Sequence, residues 1–271
     1  INDDSFKFKT RKQRIDRLQE ALGFDDGHEY TVKEYKKQAD LFKFQYFKDH
    51  LLNNRQKINT TLLNYQNLHI DDVTANDIVD YINSMDHNDL AREYWRIVET
   101  SPFHVQVEYG NDVDSAAISG SGFPYICKNQ QELDIINNKI NNNLCQDERI
   151  KKTKKPLTTI NNDNSNYWNL NLIAHAAGSP LRYTSDDISG ISVPWIYFGM
   201  LFSSFCWHAE DDFLHSINYL HYGAPKTWYG IGTYHADQFE KVTAKVLSSL
   251  FNNEPDLLQK LITQVSPRIL R

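Results

Sequence analysis

Ser204-Phe-Cys-Trp-His-Ala-Glu210, Ser216-Ile-Asn-Tyr-Leu220 and Pro225-Lys-Thr-Trp-Tyr229 are short apolar runs, rich in aromatic and β-branched residues and split by glycine and proline. Runs of that texture predict strands of an antiparallel sheet or barrel. Upstream, Trp168 to Ala174 and Val193 to Met200 continue it, so we expect strands over 168–174, 193–200, 203–210, 216–221 and 227–231. On a strand His208 and Glu210 point to one face. Ser216 shares a face with Asn218, and Lys226 with Trp228. One imidazole and one carboxylate side by side is a metal-ligand spacing, which a distant histidine would complete for non-haem iron. Alone, such a pair is more commonly a hydrogen bond on a sheet surface, and Lys226 could equally snorkel at a barrel rim.

The charge pattern favours the chemical reading. From Trp168 to His235 there are two cationic residues, Arg182 and Lys226, against Asp186, Asp187, Glu210, Asp211 and Asp212. Such a block repels phosphate and admits a cation. A lysine within it suits the carboxylate of a small dicarboxylate ligand.

Working outward, the first hundred residues read as helical. Thr31 and Glu34 form a capping box ahead of Tyr35, Ala39, Phe42 and Tyr46, which share a helix face. Asp89 to Glu99 repeats the pattern, with Leu90, Tyr94, Ile97 and Val98 inward and Asp89, Arg92 and Glu93 in water. Asn53 to Ser84 reads as a loosely packed, Asn-rich insertion with one short helix after Thr74, capped with Asp77. Asn129 to Asn166 holds ten asparagines and the basic run Arg149 to Lys155, which predicts a flexible, solvated surface loop. After Gly232, helices are expected around Phe239, Val242 and Val246, and again behind Pro255 with Leu258, Leu261 and Ile262.

Composition bounds the rest. The 271 residues, 40% hydrophobic and 24% charged, give core enough for an enzyme. No stretch approaches the roughly 20 apolar residues of a membrane span, and the start, Ile1-Asn-Asp-Asp4, is not a secretory signal. Beginning on Ile, the sequence reads as an excised piece. Cys127, Cys145 and Cys206 stand too far apart for a disulfide framework or a zinc site. The net charge of −6 argues against a general basic surface, and no direct nucleic-acid site is evident.

The residues from His208-Ala-Glu-Asp-Asp-Phe-Leu-His-Ser-Ile-Asn-Tyr-Leu-His-Tyr-Gly-Ala-Pro-Lys-Thr-Trp-Tyr-Gly230, preceded by Val193-Pro-Trp-Ile-Tyr-Phe-Gly-Met200, resemble the catalytic core of the Jumonji C (JmjC) histone lysine demethylases. Val107-Glu-Tyr-Gly110, Gly120-Ser-Gly-Phe-Pro124 and Trp168-Asn-Leu-Asn171 resemble the JARID class, which acts on lysine-4 of histone H3. Ser5 to Leu18 is similar to the segment that closes the family's JmjN domain, and Ala21 to Phe47 to its helical lead-in. The resemblance implies a segment 1–20 from the end of JmjN, a helical lead-in over 21–108 with an Asn-rich insertion, and part of the JmjC catalytic domain over 109–271, interrupted at about 129–166. The fold it implies is mixed α+β: a double-stranded β-helix, or cupin-like jelly-roll barrel, with N-terminal and C-terminal helices.

The same resemblance implies a dioxygenase with Fe(II), 2-oxoglutarate and O2. His208 and Glu210 would be iron ligands. Lys226 and Tyr197 would hold the far carboxylate of 2-oxoglutarate, Ser216, Asn218 and Tyr109 would line its pocket, and Phe205 and Trp228 would form aromatic walls. Strict alternation puts Phe205 opposite His208, so that role requires a bulge or strand end. The reaction implied is hydroxylation of an N-methyl group on lysine, whose carbinolamine then collapses to formaldehyde. Its expected partners are the H3 tail methylated at lysine-4 and chromatin complexes, and its expected location is the nucleus. In the family a third ligand, a histidine, lies on a strand beyond the segment that Leu257 to Leu270 resembles, and a zinc module follows; the resemblance therefore leaves the metal site incomplete within these residues, and His221 and His235 are poor substitutes. A catalytically silent Jumonji scaffold that binds histone tails or partner proteins, and a Jumonji protein hydroxylase, are the competing readings.

Overall fold

The computed structural model describes residues 6–20, 24–53, 74–100, 102–115, 123, 126–127, 158–159, 168–184, 187–253 and 263–270. Its elements are strands β1 (Phe8–Arg14) and β2 (Phe24–Tyr30), helices α1 (Val32–Asn53), α2 (Ala75–Ser84) and α3 (His87–Thr100), and strand β3 (Gln106–Asp114). After these come the two-residue strands β4 (Ile126–Cys127) and β5 (Thr158–Thr159), strand β6 (Trp195–Phe198), and helices α4 (Ala236–Val246) and α5 (Ser248–Phe251). The chain divides into a unit of residues 1–10, 28–35 and 110–199 and a unit of residues 11–27, 36–109 and 200–271.

A sheet of order β2-β1-β3-β6 is the main β element. In the second unit β1 runs antiparallel to β3, with Arg11 opposite Tyr109 and Gln13 opposite Val107. In the first, β3 pairs antiparallel with β6, Gly110 opposite Phe198 and Val113 opposite Ile196, across an irregularity between Gly110 and Val113. Phe8 stacks on Phe198 with ring centroids 4.1 Å apart and meets the edge of Tyr35 at 5.5 Å. A Cβ on Gly110 would lie 2.6 Å from the Phe8 ring, so only glycine lets β3 pass beneath it.

The core of the second unit lies between the three helices and the turn after β1: Ile15, Leu18, Tyr46, Phe47, Ile78, Tyr81, Ile97, Val98, Val105, Val107 and Phe202 are buried together. Both capping boxes form. Thr31 N–H donates to Glu34 Oε2 at 2.8 Å and Glu34 N–H to Thr31 Oγ1 at 3.2 Å, and Thr74 and Asp77 exchange the equivalent bonds.

Several expectations are corrected. Residues 8–14 and 24–30 are strands, although the first hundred residues read as helical: Phe8, Thr10 and Gln13 are buried, and the ladder with β3 satisfies backbone that a charged isolated segment would leave to water. α2 buries Ile78 and Tyr81 in the core and is not loosely packed. Glu93 is buried, not wet. Of the expected strands only 195–198 forms within 193–200; 168–174 consists of turns and a short 3-10 turn, and 203–210, 216–221 and 227–231 form no ladder. Alternation creates a face but not a partner, and no neighbouring strand among the described residues meets these segments. The Asn-rich span 129–166 lies outside the described residues except for Thr158–Thr159, which pairs in parallel with Ile126–Cys127. Residues 54–73 and the helix expected behind Pro255 also lie outside them. No helix among the described residues is long and apolar enough to cross a membrane.

Candidate active site

Residues 203–210 carry the centre of the site, and side chains from distant elements hold them where a ladder does not. A tight turn precedes them: Ser203 N–H donates to Met200 C=O at 3.0 Å, and Ser203 Oγ contacts Met200 N and O at 2.9 and 2.8 Å. Phe202 sits within that turn at φ 67°, a left-handed conformation that costs a non-glycine residue about 1 kcal/mol or more. Burial of its ring against Tyr46, at 4.9 Å, offsets that strain. Next, Gln13 of β1 donates from Nε2 to Ser204 C=O at 2.7 Å and accepts Ser204 N–H at 3.0 Å. Tyr94 of α3 donates to Ser204 Oγ at 3.0 Å. Gln264 Nε2 donates to Phe205 C=O at 2.7 Å, and the Trp207 indole donates to Val265 C=O at 3.0 Å.

His208 follows this anchored stretch. Its Nδ1 lies 2.7 Å from Cys206 C=O, and its Nε2 lies 3.9 Å from Glu210 Oε1. The carbonyl can only accept, so the Nδ1 proton belongs to that bond and the neutral ring presents a lone pair at Nε2. Two bonds of about 2.0–2.2 Å from one ion set a nitrogen and an oxygen about 3.0 Å apart at a right angle and about 3.4 Å apart at a tetrahedral one, so from 3.9 Å a small side-chain rotation brings the pair within reach of a single metal. Among the described residues no group of three His, Cys, Asp or Glu side chains forms. The donors therefore fit a metal as two of its ligands.

The Phe205 ring stands 6.1 Å from the His208 ring and 4.7 Å from Trp228. Lys226 Nζ lies 5.4 Å from the Phe205 ring centroid and 5.7 Å from that of Trp228, within cation-π range of both. Burial holds its ammonium below the ordinary lysine pKa. The expected conflict of face between Phe205 and His208 does not arise, because 203–210 is not a regular strand.

Five of the nine expected site residues, His208, Glu210, Phe205, Lys226 and Trp228, are thus gathered into one cluster. Tyr109 is buried on β3 in the same unit. Ser216 and Asn218 are exposed, on the segment that forms no ladder. Tyr197 lies on β6 in the other unit and is partly exposed. Sequence reasoning missed Gln13, Tyr94, Trp95, Cys206 and Gln264. Trp95 matters because its indole donates to Tyr229 OH at 2.9 Å, one residue beyond Trp228. No local signal marks them. Gln13 is 191 residues from Ser204, and Cys206 acts through its carbonyl, which every residue has.

Residues 195–271 match the family model described as JmjC domain, hydroxylase. Three curated relatives each align over 93% of this chain. JMJ16 of Arabidopsis thaliana is 37% identical, and lysine-specific demethylase JMJ703 of Oryza sativa subsp. japonica and lysine-specific demethylase 5D of Pan troglodytes are each 35% identical. The alignments cover 18%, 16% and 13% of those proteins, so the chain spans less than a fifth of the relatives it matches. JmjC domains are cupin-like jelly rolls, and the antiparallel sheet with surrounding helices agrees with that mixed α+β class. Over residues 195–271 the chain is thus a member of the JmjC family, and over most of its length it is a relative of the lysine-specific demethylases.

Proposed function

We propose that the protein to which this chain belongs removes methyl groups from lysine, using Fe(II), 2-oxoglutarate and O2, and that its substrate is lysine-4 of histone H3. The observation that carries the reading is the cluster itself: a metal-competent His208 and Glu210 pair beside Lys226, whose cation lies against two aromatic rings. His208 Nε2 and Glu210 would hold the iron. Bound iron with the co-substrate would supply the oxidant for the N-methyl C–H bond. Lys226 would hold the far carboxylate of 2-oxoglutarate, which returns to the half-buried ammonium some of the stabilisation lost with its water. Tyr109, Ser216 and Asn218, which belong to the same unit, would complete the pocket, with Phe205 and Trp228 as its walls. Asp211 and Asp212 are exposed just past Glu210 and would favour a cationic peptide. The JARID-like segments around Tyr109, Phe123 and Trp168 support the H3 tail as substrate, and with it chromatin complexes as partners and a nuclear location.

A catalytically silent scaffold remains the second reading, favoured by the presence of only two gathered donors among the described residues. Formaldehyde release by the full-length protein separates the two. Turnover of an H3 peptide trimethylated at lysine-4, with much less from peptides methylated at lysine-9 or lysine-36, is the expected result. Equal turnover of all three overturns the lysine-4 assignment, and no formaldehyde from any overturns the demethylase reading.

A further inference from the structure

We infer that Gln13, on strand β1, is a positioning residue for the metal-binding histidine, acting through the peptide of Ser204. The inference rests on the proposal that His208 and Glu210 hold a metal.

Gln13 is 4% exposed, and both ends of its carboxamide are committed to one residue: Nε2 to Ser204 C=O at 2.7 Å, and Oε1 to Ser204 N–H at 3.0 Å. This two-point pairing reproduces, with a side chain, the donor and acceptor that one residue of a neighbouring strand would offer. It is applied where the expected strand has no ladder. Tyr94 holds the Ser204 hydroxyl at 3.0 Å, and Gln264, itself 5% exposed, holds Phe205 C=O at 2.7 Å. The peptides on either side of Phe205 are therefore fixed by three side chains from three places in the unit. One residue on, Cys206 C=O accepts from His208 Nδ1 at 2.7 Å and so chooses the tautomer. The orientation of that carbonyl depends on the anchored peptides before it, so a shift at Ser204 is passed to the ring nitrogen facing Glu210.

Gln13 bonds through both carboxamide atoms, which constrains the substitutions. Gln13→Met keeps the length and removes both bonds. In Gln13→Glu the acceptor for Ser204 N–H survives, but a carboxylate oxygen is set against Ser204 C=O. Outer partners that orient a ligating histidine change metal affinity about 10- to 100-fold. Thr10→Val is the control, because it removes a different buried side-chain bond of β1, Thr10 Oγ1 to His28 C=O at 2.8 Å.

The test is a titration of the 271-residue chain with Co(II), followed by the NMR signals of the His208 ring and by the visible spectrum of the bound ion, below the melting point of every variant. Expected are Co(II)-dependent shifts of His208 in the unsubstituted chain, affinity at least about ten-fold weaker with an altered spectrum in both Gln13 variants, and no change in Thr10→Val. If Co(II) leaves the His208 signals of the unsubstituted chain unmoved, the metal reading fails and takes the inference with it. If the unsubstituted chain binds but Gln13→Met and Gln13→Glu match it in affinity and spectrum, the metal reading stands and the inference is overturned. A Gln13 loss matched by Thr10→Val also overturns it, since the effect would then be general destabilisation.

Discussion

Lys226 shows how much one residue can depend on its surroundings. Its charge lies against Phe205 and Trp228, and burial makes that charge harder to keep than in water. On the proposed reading, the carboxylate of 2-oxoglutarate would favour the protonated form, so its binding and the protonation of Lys226 would be linked. Lys226→Ala is expected to raise the apparent KM for 2-oxoglutarate of the full-length enzyme far more than that for peptide. Loss of a partner to a buried carboxylate costs about 2 to 5 kcal/mol, and steady-state kinetics with each substrate varied in turn read it. For the unsubstituted enzyme the sign with pH follows: affinity for 2-oxoglutarate falls as pH rises, and begins to fall below the range of an ordinary lysine. A KM indifferent to the substitution removes Lys226 from the pocket. At this scale the sequence is most informative, because His208, Glu210 and Lys226 stand out by type, spacing and a cation-poor setting, and the family resemblance adds Trp228 to them. Gln13 and Gln264 do not stand out, because a glutamine's role as a backbone anchor depends on which distant peptide folding brings to it.

Among the elements, α1 and α3 are joined by a buried carboxylate. Glu93 is held by Arg96 through bonds of 2.8 and 2.7 Å, by His50 at 3.5 Å and by the Tyr46 hydroxyl. Burial alone would raise its pKa; the bonds from Arg96, His50 and Tyr46 outweigh it and hold Glu93 below the usual carboxylate range. A depressed pKa contributes stability that is present above the unfolded value and lost as pH falls through the folded one. Glu93→Gln should therefore lower the free energy of unfolding at neutral pH by about 3 kcal/mol. The gap to the unsubstituted chain should narrow as pH drops below the ordinary glutamate value of 4.5. Urea denaturation across that range measures both, and a gap that does not depend on pH would show that the charge is not what joins the helices. The helices themselves were legible because their signals are local: Thr31 with Glu34, Thr74 with Asp77, and the spacing of Ile97 and Val98. The strands were legible only as faces. β1 and β2 are hidden because their charged sequence resembles a solvated segment until β3 lies beside β1 and β1 beside β2, and strands over 203–231 are expected in excess because aromatic alternation says nothing about a partner.

At the scale of the whole molecule, segments far apart in sequence meet in the second unit. The stretch 263–270 meets the 3-10 turn that follows β1, where Gln264 N–H donates to Leu18 C=O at 3.3 Å, and α3, where Arg268 donates to Glu99 at 3.4 and 2.5 Å. It also meets the site segment through Trp207 and Phe205. Val265 is fully buried at the centre of this junction, against Leu247 and Trp207. Val265→Ala removes two buried carbons and leaves a cavity, and should destabilise the chain by about 2 kcal/mol, with the Trp207 emission moving toward that of a solvated indole. Urea unfolding followed by fluorescence reads both; an unchanged midpoint would mean that this stretch is not coupled to the rest. None of this junction was visible in sequence order, because proximity there is created only by folding.

The pairing of Gln13 with Ser204 also sets a clock. During synthesis the glutamine leaves the ribosome 191 residues before the peptide it holds, and Gln264 follows Phe205 by a further 59. At about 5 to 20 residues per second, β1 waits roughly 10 to 40 s for its counterpart, and the histidine's own segment then waits several seconds more for its second anchor. Throughout that interval β1 must be kept from pairing with other chains. On the proposed reading the histidine's segment is fully anchored only once residue 264 has emerged, and iron offered earlier would meet a ring with no fixed direction.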